Sequence, residues 1–481
     1  MPSELKQKTI NGMFWSGVGN VSIQSLQFLF SIILARLLDP EDYGLAAILS
    51  IFYALSMLFI DSGFTSALVR KEKLTQEDAS TALYFNVGVG VLCYVVLFIT
   101  APWIALFYGN PLLSSLLRVY GICIVIVPCM LIQNTMLERG LNFKRISFFN
   151  IVANVLANLI AIIMAYMGYG VWALVALNLA VTLIVTIELW IFSSWRPIFV
   201  FSKKSFKYLF NFSYKLLLDG IVSTTINNLN NIVIGKVFSP STLGFYTKAS
   251  TLASLPSSTV NKVVLGVSYP VMSQLQAEKY RLSMNYRRLI RMTAYMTFPL
   301  LIGISAIAHP LVILIYTEKW APCIPYLQIL CFSLMWLPIL SININLLSVL
   351  NRTDLVLKCR LINTGLYVFI FVISIQFGII GLCCGAAIST MLSIIVNTHY
   401  TGILLDLNFM KQMKDILPFL VNSFIMGIIA CGGASLCDNN LINVVVAVTI
   451  SVVYYVGSSF IFKFPELSEL VEIIHGKKKR I

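Results

Sequence analysis

Five polar residues recur along the stretch "NFSYKLLLDGIVSTTINNLNNIVIGK": Lys215, Asp219, Ser223, Asn227 and Asn230, spaced four, four, four and three apart. In a helix this spacing puts all five on one face, because 3.6 residues make a turn. So polar a face cannot point at lipid, where each unsatisfied group costs several kcal/mol. It reads either as glue between helices, with Lys215 and Asp219 as an i, i+4 pair, or as one wall of a water-filled cavity. Five polar groups on a single helix favour the wall. A second stripe, Asn150, Asn154 and Asn158, keeps strict i, i+4 spacing, and asparagine there suits sugar hydroxyls and helix packing equally. Arg118 and Lys248 place cations in the outer parts of apolar runs. Snorkelling to the interface is open to both; turned inward, they would draw anions into a cavity. Of twenty acidic residues only Asp61, Glu188 and Asp219 fall well inside apolar runs, where a charge costs ~2.5–3.5 kcal/mol unless wet or paired. Glu188 stands close to Trp190, Trp195 and Arg196, which suits an interfacial role.

Other chemistries lack their residues. The sequence has no GxxxxGK[ST] phosphate loop, and its three histidines form no HExxH. The ten cysteines include no CxxC pair, so they read as small apolar fillers without metal. No cofactor is expected. The longest non-cytoplasmic connection, "YTEKWAPCIP" (316–325), is too small to carry the catalytic groups of a glycan polymerase or ligase, which argues against an enzyme. The net charge of +14 is divided among short connections, which accords with membrane topology and not with nucleic acid.

The elements that position these residues follow from composition. The chain has 481 residues, 58% hydrophobic and 11% charged, with mean hydropathy +0.86. Soluble chains are about a quarter charged, so this is a membrane protein. Apolar runs bounded by turn signals predict fourteen transmembrane helices, at about 10–38, 42–69, 79–107, 112–137, 146–167, 171–194, 208–235, 242–272, 287–308, 324–349, 356–377, 379–405, 416–437 and 441–462. The first run is too long for a signal-peptide core and reads as a retained helix. With the N-terminus in the cytoplasm, 27 of the 34 Lys and Arg fall at cytoplasmic ends. Every second connection is basic, so both termini are expected inside.

The motif "ARLLDPEDYGL" (35–45) is paraphrased by "GKVFSPSTLGF" (235–245): Arg36, Pro40 and Gly44 match Lys236, Pro240 and Gly244 at an offset of 200. "GYGVWALVAL" (168–177) and "QFGIIGLCCG" (376–385) continue the duplication. The expected fold is an all-α integral membrane protein with two six-helix lobes related by a parallel pseudo-twofold repeat, plus two C-terminal helices. The lobes are expected at 1–207 and 208–410, with 411–481 holding the last two helices and a basic tail. Parallel repeats are a transporter architecture with a substrate site between the halves. Both motifs are expected on the extracytoplasmic face.

In combination, "ARLLDPEDYG", "GYGVWALVAL", "IVIGKVFSPSTLGFYTKASTLASLP" and "SYPVMSQLQAEKYRL" resemble the polysaccharide transporters of the multidrug/oligosaccharidyl-lipid/polysaccharide exporter superfamily, in its Wzx and WzxC branch. The resemblance covers nearly the whole chain. It implies a bacterial inner-membrane flippase, working by alternating access on an undecaprenyl-diphosphate-linked O-antigen, capsule or exopolysaccharide unit. It makes Lys215, Arg118 and Lys248 candidates for diphosphate or acidic sugars, and Asn150, Asn154, Asn227 and Asn230 candidates for sugar hydroxyls. Ser223 and Asn158 complete the two stripes. Asp219 and Asp61 are the ion-coupling candidates, with the ion unassigned. Expected partners are membrane lipids and the glycan polymerase or ligase machinery, with the transporter a monomer. A drug or metabolite antiporter of the same superfamily, a lipid II flippase and a glycan polymerase or ligase are the alternatives.

Overall fold

Side chains of Thr75, Ser202 and Asn439 cap the starts of three helices. In the computed structural model, which describes residues 3–61, 63–434 and 439–474, no β-strand occurs among the described residues. The chain packs as two compact units, Met1–Gly244 and Phe245–Ile481.

The first unit contains α1 (Ser3–Leu37), α2 (Pro40–Asp61), α3 (Phe64–Arg70), α4 (Gln76–Tyr108), α5 (Leu112–Tyr120), α6 (Ile122–Arg139), α7 (Phe143–Tyr166), α8 (Val171–Phe192) and α9 (Lys203–Val237). It also includes the opening turn of α10 (Pro240–Gln274). Thr75 and Asp78 form a reciprocal capping box at the start of α4, and Gly109 ends that helix in the left-handed region at φ 70°. Arg139 of α6 donates to the carbonyls of Leu68, Val69, Lys71 and Glu72, tying down the basic connection after α3.

The expected lobe boundary at 207/208 differs from this grouping. The reason is packing: α9 lies against α2, α3 and α4. Its start is fixed by Thr81, whose hydroxyl accepts from the Ser202 amide, and Leu209 joins a core with Phe64, Leu68, Leu83 and Ile132.

The second unit continues α10 and adds α11 (Lys279–Ala306), α12 (Ala308–Tyr316), α13 (Ile324–Leu334), α14 (Leu337–Val349), α15 (Thr353–Ser374), α16 (Gly378–Leu405), α17 (Phe409–Gly433), α18 (Asn440–Ile461) and α19 (Pro465–Ile474). A buried polar node joins four of them. The Tyr286 hydroxyl donates to Asn343 Oδ1 at 2.7 Å and meets Gln412 Oε1 at 3.1 Å, and the Thr401 hydroxyl donates to the same Asn343 oxygen at 3.0 Å. The two C-terminal helices expected as extras pack here, α17 on α11 and α18 on α17 and α12.

Among the described residues, ten helical stretches are long and apolar enough to cross a membrane. α1, α9 and α10 are not among them. The reason for α9 is its polar stripe, and α10 carries Ser, Thr and Lys throughout.

The duplicated motif has a direct structural counterpart. Pro40 and Pro240 each open a helix, where a missing N–H costs nothing, and the Ser239 hydroxyl accepts from the Thr242 amide as a cap. The two helix starts then touch reciprocally. A Cβ built on Gly44 would lie 1.8 Å from the Pro240 carbonyl oxygen, and one on Gly244 would lie 1.8 Å from that of Pro40. Close approach of backbones is what demands glycine at both places.

Candidate functional site

The asparagine stripe of the fifth predicted helix lies in a groove inside the first unit. α1 and α7 run parallel and touch at both ends. At one end the Ser147 hydroxyl donates to the Trp15 carbonyl at 3.1 Å, and a Cβ on Gly19 would collide with Ser147. At the other, Leu34 and Leu38 pack on Ala161, Ala165, Ala173 and Leu174, small side chains that let three helices close up. Between these contacts α1, α7 and α8 line a cavity of about 440 Å³.

Its polar lining is Gln27 and Ser31 from α1, Asn150, Asn154 and Asn158 from α7, and Asn178 and Thr182 from α8, with Tyr43 and Tyr53 from α2. The asparagines share one geometry. Each Nδ2 donates to the carbonyl four residues earlier: Asn150 to Ile146 at 2.8 Å, Asn154 to Asn150 at 2.8 Å, Asn158 to Asn154 at 2.7 Å and Asn178 to Leu174 at 2.9 Å. A carbonyl partner can only accept, so these bonds fix which end of each amide is nitrogen. The amide oxygens remain as the acceptor ends. One of them, Asn154 Oδ1, accepts from Gln27 Nε2 at 3.1 Å and so links α7 to α1. The hydroxyls also bond back, Ser31 to Phe28 and Thr182 to Asn178, both at 2.9 Å.

No lining residue carries a formal charge at neutral pH. An uncharged, acceptor-rich groove walled by Leu and Val suits a neutral ligand that donates hydroxyl hydrogens.

The remaining predicted residues lie elsewhere. On α9, Asp219 and Asn227 are exposed and Ser223 and Asn230 half-buried. The Lys215 side chain is outside the described residues, so the stripe is seen in four of its five members. Asp61 ends α2, and its Oδ1 accepts from the Thr65 amide at 3.2 Å, which ties it to the start of α3. Arg118, on α5, lays its guanidinium 4.5 Å from the Phe98 ring centroid. Lys248 belongs to the second unit, where it is buried, with its ammonium 5.3 Å from the Tyr316 ring and 5.9 Å from that of Trp320. That is a cation–π arrangement. Glu188 is half-buried and its Oε2 has no hydrogen-bond partner.

Asn178 and Thr182 escaped the sequence reading. Their signal was present, since the pair repeats the i, i+4 spacing of Asn150, Asn154 and Asn158. Gln27 and Ser31 stand 200 positions before Asn227 and Asn231, the offset that relates the duplicated motifs.

Residues 33–325 match the family described as "Polysaccharide biosynthesis protein". The chain is 25% identical over 441 residues to the lipopolysaccharide biosynthesis protein WzxC of Escherichia coli (strain K12), covering 89% of each chain. It is 26% identical over 436 residues to the teichuronic acid biosynthesis protein TuaB of Bacillus subtilis (strain 168), covering 90% of each. Among solved structures it is similar to the lipid II flippase MurJ in an inward closed conformation, with TM-score 0.72, 16% identity and coverage of 93% of this chain and 98% of that one. An inward-facing multidrug resistance transporter of the MATE family gives TM-score 0.62 at 16% identity, covering 80% and 98%. These two likenesses establish the fold alone. The family match spans more than half of the sequence, and the chain therefore belongs to the polysaccharide biosynthesis protein family.

Proposed function

We propose that the protein is a flippase that carries an undecaprenyl-diphosphate-linked oligosaccharide across the bacterial inner membrane by alternating access. The observation that carries this reading is the uncharged groove of amide and hydroxyl groups within a helical membrane unit. A sugar presents many hydroxyl donors, and a bank of amide oxygens inside an apolar wall receives them at low desolvation cost. The names of the relatives point the same way. Besides WzxC and TuaB they include the succinoglycan biosynthesis transport protein ExoT of Rhizobium meliloti.

The membrane arrangement in this reading has fourteen crossings and both termini in the cytoplasm. The stretch Thr353–Leu405, 53 residues long, is twice what a core of ~30 Å needs and divides at Gly378 into two crossings. α1, α9 and α10, each 35 residues, supply three more, polar because they face water or substrate. Asn227 and Asn230 extend the sugar contacts, while Lys215, Arg118 and Lys248 are assigned to diphosphate or acidic sugar. Asp219 is the ion-coupling candidate ahead of Asp61, which is occupied in capping α3.

The test is complementation in the parent bacterium. A deletion strain should accumulate the lipid-linked oligosaccharide on the cytoplasmic side, and the wild-type gene should restore surface glycan. Normal glycan in the deletion strain, with altered drug tolerance, would refute the flippase and favour the antiporter.

A further inference from the structure

The short last helix, α19, lies across two different surfaces of the second unit. Its acidic side meets α11, where Glu466 accepts from Arg291 Nε at 2.7 Å and Glu469 from Arg288 Nε at 2.9 Å. These arginines line a recess of about 510 Å³ with Met284, Asn285 and Arg287. Its apolar side, Leu467 and Leu470, closes one end of a groove of about 450 Å³ that follows α11 and α18 as far as Ile307 and Val448. Tyr295 and Ile307 mark the groove along α11. At 1.5 Å per residue that is about 18 Å, close to the hydrocarbon depth of one leaflet.

The clip is poorly satisfied. Arg287 grips both oxygens of Asp415, through Nε at 2.7 Å and Nη2 at 2.6 Å. Arg288 and Arg291 instead each donate through Nε alone. The Glu466 side chain is 6% exposed, yet its Oε2 has no hydrogen-bond partner, a costly state for a buried carboxylate. Arg288 remains 60% exposed despite its pairing. A phosphate group has enough oxygens to engage both forks of donors at once.

We propose that Arg288, Arg291 and the groove between α11 and α18 form a binding site for an anionic phospholipid, which α19 occupies as a built-in mimic until the lipid displaces it. The phosphate takes the place of the Glu466 and Glu469 carboxylates, and one acyl chain takes the groove beyond Leu467 and Leu470. Charge complementarity selects an anionic headgroup, and the apolar groove that Leu467 and Leu470 of the same helix close selects a lipid over a soluble anion. The site does not depend on the transported cargo.

The full chain in lipid nanodiscs tests this by amide hydrogen exchange of residues 465–474. Phosphatidylglycerol should speed exchange there in a concentration-dependent way, and phosphatidylcholine should not. Glu466→Gln with Glu469→Gln should lower the phosphatidylglycerol fraction needed for half-release by roughly fivefold, the effect of about one surface cation–lipid contact. Arg288→Gln with Arg291→Gln should leave exchange fast and indifferent to lipid. Gly303→Leu, which fills the groove without touching the clip, should raise the required fraction while leaving exchange in phosphatidylcholine unchanged. Equal exchange in both lipids would overturn the proposal. So would release by inorganic phosphate at matched concentration, which would mean screening and not a lipid site.

Discussion

The reciprocal contact of the duplicated motifs gives a prediction whose sign differs from the ordinary effect of the same substitution. Replacing glycine by alanine within a helix normally stabilises by about 1 kcal/mol. Gly88, on α4, has no atom within 4 Å of an added Cβ, so Gly88→Ala should show that gain. At Gly244 the added Cβ falls 1.8 Å from the Pro40 carbonyl oxygen, whereas ordinary contact begins near 3.4 Å. The helix starts must therefore part by about 1.6 Å, the difference between those distances. The obstacle is backbone, which cannot swing aside as a side chain would. Overpacking of this kind costs about 1–3 kcal/mol, so Gly244→Ala and Gly44→Ala should each be destabilising after the propensity gain is subtracted. The two substitutions widen the same crossing, so the double variant should cost clearly less than the sum of the singles. Thermal unfolding of the purified protein in detergent, followed by tryptophan fluorescence, measures all four variants. Gly44→Ala and Gly244→Ala raising the midpoint as Gly88→Ala does would refute the reasoning.

Asn154→Leu should sever the Gln27 link and fill the groove, abolishing glycan export while costing about 1 kcal/mol or less of stability, as such helix–helix bonds typically do; export assays beside a thermal scan separate the two. Asn178→Leu should behave likewise, because its amide makes only a bond within α8. Tyr286→Phe removes one of the two donors to Asn343 Oδ1 in the buried node and leaves the Thr401 hydroxyl as the other, so it should cost about 0.5–1.5 kcal/mol, with a lower unfolding midpoint as the readout. Lys248→Met keeps the side-chain length in the Tyr316 and Trp320 setting while removing a buried charge. It should leave the midpoint unchanged or higher, and loss of export at full stability would assign Lys248 to the substrate.

Local signals carried most of the secondary structure. Runs such as 79–107 and 171–194 end within a few residues of α4 and α8, because Gly109 and Gly170 stop or start helices by backbone conformation that sequence displays directly. Discontinuities inside a run were hidden. The span predicted at 42–69 is α2 and α3, separated at Gly63 with φ 77°, and the one at 324–349 is α13 and α14, meeting near Pro338. The packing partners of α9 were hidden for a different reason. A repeat locates homologous positions, but which neighbours α9 packs against depends on Leu209 and on the Thr81 hydroxyl, contacts distant in sequence. The Asn150 stripe was legible as a polar face, since i, i+4 spacing survives into the helix unchanged. Its chemistry was not, because only the back-bonds to Ile146, Asn150 and Asn154 show that oxygens and not nitrogens are left for a ligand. The clip of α19 on α11 joins residues 175 and 181 positions apart, and no spacing rule reaches that far.

The central claim is transport of a lipid-linked sugar, and reconstitution tests it most directly. Purified protein in proteoliposomes should bring a labelled undecaprenyl-diphosphate-linked oligosaccharide from the inner leaflet to the outer one, where an added lectin captures it, and Asn154→Leu should stop this. Failure to move that lipid, together with uptake of a cationic dye such as ethidium against an ion gradient, would contradict the account.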